Sequence, residues 1–171
     1  IPGLMQTIDP PLIRPLTSPS AHPAFWSGVA GLIGTKSRFL LATHVNADGD
    51  GLGSQVALYH LLKRRGKDVR ILNTDAPPPN YAFLAPATIV ELYDPARDES
   101  WVLGADAIIL LDNSSSSRFG ALETAIRASA AIKACIDHHP HPDTIWDVMA
   151  IDETAAATGQ MVYRLIRSME Q

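Results

Sequence analysis

Short, continuous apolar runs that each end on an acid or a histidine constrain this chain most. Phe39-Leu40-Leu41-Ala42-Thr43 ends at His44, Ala107-Ile108-Ile109-Leu110-Leu111 at Asp112, Ile132 to Ile136 at Asp137, and Val148-Met149-Ala150-Ile151 at Asp152. Such runs are too short for buried helices and suit strands buried on both faces, as parallel strands are. Asp68 to Asn73 and Ile89 to Leu92 are expected as further strands, and "DAPPPN" from Asp75 to Asn80 as a loop. Helical patterns fill the gaps: Ala21 to Lys36, Leu52 to Arg65 stopped by Gly66, Phe119 to Ser129, and Ala155 to Met169. This alternation predicts an α/β fold, a mostly parallel sheet with helices on both faces.

The 171 residues suit one domain. Residues 1–20, with Pro2, Pro10, Pro11, Pro15 and Pro19, read as a Pro-rich arm, leaving 21–171 as the folded part. The arm lacks the basic start and apolar core of a signal peptide. No apolar run approaches the roughly 20 residues of a membrane span, so no membrane partner is expected. A net charge of -4 and a pI near 5.8 argue against coating long DNA, which takes many phosphate contacts. They leave room for a small phosphorylated substrate held by a metal, because a bound cation dominates its local field. The basic stretch Lys63 to Lys67 reads as a solvated helix end. The single cysteine, Cys135, excludes an intramolecular disulfide. It reads as a small buried side chain and fits a cytoplasmic location.

The chemistry gathers where the strands end. His44, Asp48 and Asp50 follow the first strand in "HVNADGDGLGS". Asp112 follows the most apolar strand, Asp137, His138 and His139 the next, and Asp152 the last. In an open parallel sheet the carboxyl ends of the strands line one edge, where ligands bind. Each residue alone has a plainer reading: a single Asp there is a cap or turn residue. Asn46 reads as a turn residue, Ser114 to Ser117 as a flexible turn, and His22, His60 and His141 as structural or surface groups. Together the clusters point to metal. Converging carboxylates repel each other and raise one another's pKa unless cations lie between them. Asp with His suits Mn²⁺, with Mg²⁺, Co²⁺ or Zn²⁺ as alternatives. Two ions about 3.5–4 Å apart can clamp both the attacking and leaving oxygens of a phosphoryl centre.

The motifs "HVNADGDGLGS", a strand ending in Asp112, "DHH" at 137–139 and "DETAAATGQ" from Asp152 resemble, in order and spacing, those of the DHH phosphoesterase family. The likeness runs from about Ser37 to Met169 and is nearest the branch of oligoribonucleases that also dephosphorylate 3'-phosphoadenosine 5'-phosphate. The resemblance implies a DHH catalytic domain with two ions and an attacking metal-bound water. His44, Asp48 and Asp112 would hold one ion. Asp50, Asp112, His138 and Asp152 would hold the other, with Asp112 bridging. Asp137 would orient a histidine, and His139 would face the substrate phosphate. On an extended segment the adjacent His138 and His139 would point in opposite directions. Ala47, Asn113 and Gln160 depart from the usual proline, threonine (or cysteine or serine) and glutamate, and none removes a ligand. The resemblance also implies a C-terminal substrate-binding domain, absent from this chain, which is therefore expected to be a fragment of a longer protein, with a minimal stand-alone form as the alternative. The expected partner is a short oligonucleotide or a phosphorylated nucleotide, with a homodimer left open. The competing readings are a phosphoanhydride hydrolase and a metal- or nucleotide-binding regulatory module without turnover.

Overall fold

The computed structural model describes residues 18–84, 86 and 88–170. Of the Pro-rich arm, residues 1–17 lie outside the described residues. The strands β1 (Arg38–Ala42), β2 (Asp68–Asn73), β3 (Val90–Leu92), β4 (Ala107–Leu111), β5 (Ile132–Asp137) and β6 (Val148–Ile151) form one sheet. Its order is β3-β2-β1-β4-β5-β6, and every pairing is parallel. The helices are α1 (Ser27–Thr35), α2 (Gly49–Arg64), α3 (Pro95–Leu103), α4 (Glu123–Ala128) and α5 (Thr158–Met169). None among the described residues is long and apolar enough to cross a membrane.

Alternation along each strand splits the core in two. Phe39, Leu41, Ile109 and Leu111 pack with residues of α1, α2 and α5, including Ile33, Leu58 and Val162. Leu40, Ala42, Ile108 and Leu110 pack with Val102 of α3 and Ile126 of α4. Helices therefore cover both faces, which is why the strands read as unbroken apolar runs. Cys135 is fully buried in the second cluster, and burial, with the charge of Asp137, pushes its thiol up to about 12. The sheet winds outward in opposite directions from β1 and β4. Connections leave in opposite senses there, which opens a crevice at the carboxyl ends of these two strands.

The helices differ from the expected ones for identifiable reasons. The α3 helix is absent from the sequence-based expectation because a buried acid, Asp98, interrupts the apolar inward face that Val102 supplies. Asp98, fully buried, pairs with Arg97 at 2.7 Å and Arg70 at 2.8 Å. The Arg97 contact above all, with the Asp94 amide and Arg70, holds its carboxyl well below the usual range against the effect of burial. The start signal was present: Asp94 caps the helix, and Pro95 takes the first helical position. Residues 19–21 and 23–26 form 3₁₀ turns, so the first helix begins at Ser27. The last helix begins at Thr158, not Ala155, and α4 is shorter than expected because two 3₁₀ turns precede it. The serine segment is not loose. The Ser114 carbonyl accepts from Trp146 Nε1 and from the Asp143 amide at 2.9 Å each.

Gly120 fixes this segment against the neighbouring loops. Its φ is +57°, and an added Cβ would lie 2.6 Å from Thr74 Cγ2 and 2.8 Å from Val45 Cγ1. Gly120→Ala should lower stability by about 1–3 kcal/mol through the left-handed backbone, with the clash adding to it. A urea midpoint equal to that of the parent would contradict this account.

Candidate metal centre

His44 leaves the end of β1 nearly buried. Its Nδ1 lies 2.7 Å from the Val45 carbonyl, and its Nε2 lies 3.6 Å from Asp112 Oδ2. The Asp112 carboxylate pushes His44 up, and burial opposes it. Asp48 caps α2 by accepting from the amides of Asp50 and Gly51 through Oδ1. The capped turn explains why α2 starts at Gly49, before the expected Leu52. An added Cβ on Gly51 would lie 2.5 Å from Thr43 Oγ1, so the motif glycine lets α2 close onto β1. Asp50 reaches across to α5, accepting from the Thr158 amide at 2.9 Å and the Gly159 amide at 2.7 Å. The position before α5 is Ala157, which offers no side-chain cap, so Asp50 supplies one from a distant motif.

Asp112 closes β4 in a left-handed conformation, φ +59°, which Asp tolerates better than most residues. It is 2% exposed. Thr158 Oγ1 donates to its Oδ1 at 3.0 Å. Oδ2 faces His44, while Oδ1 faces His138 Nε2 at 3.6 Å. His138 Nε2 also lies 3.7 Å from Asp50 Oδ2. These gaps are too long for hydrogen bonds. Two bonds of about 2.0–2.2 Å meeting at one cation would span them. Two ligand groups result, His44 with Asp48 and Asp112, and Asp112 with His138 and His139, each with its ligand atoms within 4.8 Å of one another. Asp112 belongs to both.

The expectation that His138 and His139 point apart is corrected. Their ring centroids are 4.4 Å apart, and His139 Nδ1 also lies 3.7 Å from Asp112 Oδ1. Strand β5 ends at Asp137, so the strict alternation of an extended segment no longer applies at the histidine pair. Their hydrogen bonds still distinguish them. His138 Nδ1 lies 3.3 Å from the Ala155 carbonyl, which leaves Nε2 toward the acids. His139 Nδ1 lies 2.8 Å from Asp137 Oδ1, so the buried Asp137 orients His139. His139 is the more exposed of the pair, with 49% of its side chain open.

Asp152 is in neither group. Its Oδ2 accepts from the Ser18 hydroxyl and from the Ser20 amide at 3.0 Å, with Arg164 Nη1 at 3.8 Å. Its Oδ1 accepts from Thr154 Oγ1 at 2.6 Å and from the Thr154 amide at 3.1 Å. Burial pushes its carboxyl up, but the bonds from Ser18, Ser20 and Thr154 outweigh it and hold the group well below the usual range. Sequence reasoning missed Ser18, Ser20 and Arg164 around this acid. It also missed Arg118, whose Nη2 lies 2.7 Å from His44 Nδ1. No spacing rule points to them, although Arg118 lies six residues after Asp112.

The residues fit divalent cations on the chemistry of the donors. In both His44 and His138 one ring nitrogen faces a backbone carbonyl, and the other is turned to the Asp112 carboxylate. That is how a histidine is prepared as a ligand.

A profile described as the DHH family, N-terminal domain, matches residues 38–171. The bifunctional oligoribonuclease and PAP phosphatase NrnA of Bacillus subtilis (strain 168) is 28% identical over 128 residues, covering 74% of this chain and 37% of the relative. Its namesake from Thermus thermophilus is 33% identical over 126 residues, covering 74% and 35%. An exopolyphosphatase-related protein from Bacteroides fragilis has a similar structure, with a TM-score of 0.80 at 26% identity over 86% of this chain and 44% of that one. The chain spans little more than a third of the length of these curated relatives. With the profile match covering most of the chain, and the crevice at the ends of β1, β4 and β5 holding its Asp and His motifs, this chain belongs to the DHH family as its N-terminal domain.

Proposed function

We propose that this chain is the catalytic domain of a metal-dependent phosphoesterase acting on short oligonucleotides or small phosphorylated nucleotides. The observation that carries the reading is Asp112, a buried carboxylate with one oxygen toward each of two oriented histidines. In this reading His44, Asp48 and Asp112 hold one ion, and Asp50, Asp112, His138 and Asp152 the other, Mn²⁺ being the metal of choice. Bound there, two cations would neutralise the acids, lower the pKa of an attacking water to about 7 and offset charge on the leaving oxygen. The chain's own residues do the rest. Thr158 and the Thr158 and Gly159 amides hold Asp112 and Asp50 in place. Asp137 holds the His139 ring in place, and in its protonated form the ring would donate a hydrogen bond from Nε2 to a substrate oxygen and stabilise developing charge. Further contacts to the substrate belong, in this proposal, to a second domain C-terminal to this chain.

The experiment is Mn²⁺-dependent hydrolysis of a dinucleotide, 3'-phosphoadenosine 5'-phosphate, a cyclic dinucleotide and pyrophosphate, measured side by side. Turnover of the first two above the others is expected. Pyrophosphate as the best substrate would favour a phosphoanhydride hydrolase, and no turnover with metal bound would favour a binding module.

A further inference from the structure

The loop between β2 and β3 carries Phe83, the most exposed large apolar side chain among the described residues, with 85% of its surface open. A single exposed apolar residue is ordinary; what distinguishes Phe83 is where its loop is fixed. The loop is docked on the motif that supplies Asp48 and Asp50. Asp75 Oδ2 accepts from the Asn46 amide at 2.7 Å. Gly49 stands between the two acids, and a Cβ added there would lie 3.0 Å from Tyr81 Cε1, so the want of a side chain lets the ring close in. One turn further along α2, a Cβ added to Gly53 would lie 3.6 Å from Leu84 Cδ2. Tyr81 and Leu84 therefore rest on the first turns of the helix that opens the metal centre.

The turn that carries Phe83 is braced. Pro79–Tyr81 form a 3₁₀ turn. The Tyr81 amide donates to the Pro78 carbonyl at 2.9 Å, the Ala82 amide to Pro79 at 3.2 Å, and the Leu84 amide to Tyr81 at 2.9 Å. Tyr81 and Leu84, the ends of that last turn, pack against the core, while Phe83 between them stays in solvent. Pro77, Pro78 and Pro79 restrict the backbone further. A ring held in place beforehand loses little freedom when a ligand meets it. Charge divides the surroundings. No charged side chain stands from Ala76 to Leu84, whereas the centre beside the loop gathers Asp48, Asp50 and Asp112. A nucleotide is divided in the same way. Its phosphate suits cations held by the acids, and its flat, neutral base suits an uncharged aromatic wall.

We infer that Phe83 stacks on a nucleobase of the substrate, with Tyr81 holding the turn in position, and so makes this domain prefer nucleotides to other phosphoesters. The inference rests on the phosphoesterase reading above and names the part of the substrate that this chain recognises by itself. Every base has a π-face, so stacking of this kind accepts short oligonucleotides without regard to sequence.

The test is a calorimetric titration of the parent chain, Phe83→Ala and Phe83→Trp, all loaded with Mn²⁺. The ligands are adenosine 5'-monophosphate and ribose 5-phosphate, which share sugar and phosphate and differ in the base. The parent chain should bind the nucleotide at least about fivefold tighter, the lower end for a base stacked on an aromatic side chain. Phe83→Ala should erase that difference and leave the affinity for ribose 5-phosphate unchanged, whereas Phe83→Trp should keep it. Truncating so exposed a ring leaves the core untouched, so the variants remain comparable with the parent. Equal affinities of the parent chain for the two ligands would overturn the inference. So would a preference retained in Phe83→Ala, or an equal weakening of both ligands, which would make Phe83 a support of the loop alone. The titration needs no turnover, which separates it from the reading on which it rests. If no phosphoester is hydrolysed, the phosphoesterase reading fails, while a base preference that depends on Phe83 still establishes the stacking site.

Discussion

Asp112→Asn should abolish turnover and weaken Mn²⁺ binding at both sites together. Asn is the right replacement because position 112 has φ +59°, which Asn accepts and Ala does not. The fold should therefore survive, including the hydrogen bond from Thr158. What disappears is the second anionic oxygen, so one of the facing histidines loses its carboxylate partner. The expected drop in rate is at least about 10³-fold, beyond the 10–100-fold typical of an outer-shell partner. Asp152→Ala should behave differently. It should weaken one site and also lower the melting temperature, because Ser18 and Ser20 lose their anchor. Equilibrium Mn²⁺ binding read beside activity checks both, and normal binding and turnover in Asp112→Asn would rule out the bridge.

His138→Ala should lose metal, whereas His139→Ala should keep metal and lose rate. Proximity does not separate the two rings, since both lie within 3.7 Å of Asp112 Oδ1. Protonation does. The His139 nitrogen nearest Asp112 is Nδ1, and its hydrogen is committed to Asp137 at 2.8 Å. A nitrogen that donates has no lone pair for a cation, and the other ring nitrogen of His139 is not the one nearest Asp112. His138 presents Nε2 to Asp50 and Asp112, with Nδ1 turned to a carbonyl. Removing a hydrogen-bond donor to developing charge costs about 10²–10³ in kcat. Asp137→Ala should follow His139→Ala in direction, because it removes the acceptor that orients the ring. Equal metal loss in the two histidine variants would end this division of labour.

What the sequence made legible follows from which forces are local. Strand β4 is bounded as its apolar run suggests, because a strand buried on both faces is apolar throughout, and β2 and β6 keep their expected bounds although each has exposed positions. Helix α3 was hidden because Asp98 pays for its burial with Arg70 and Arg97, partners that no periodicity reveals. The start of α5 was misplaced because its cap, Asp50, lies in another motif. Most of the Asp and His cluster was legible, since strand ends in a parallel sheet share an edge. The facing of the histidine pair was not, because it depends on where β5 stops.

The central claim is that Asp112 is shared by two cations. Anomalous diffraction from crystals of the Mn²⁺-loaded chain tests it most directly. The account expects two manganese peaks about 3.5–4 Å apart, one beside His44 and one beside His138, each in contact with an oxygen of Asp112. A single peak, or two peaks without the Asp112 carboxylate between them, would contradict it.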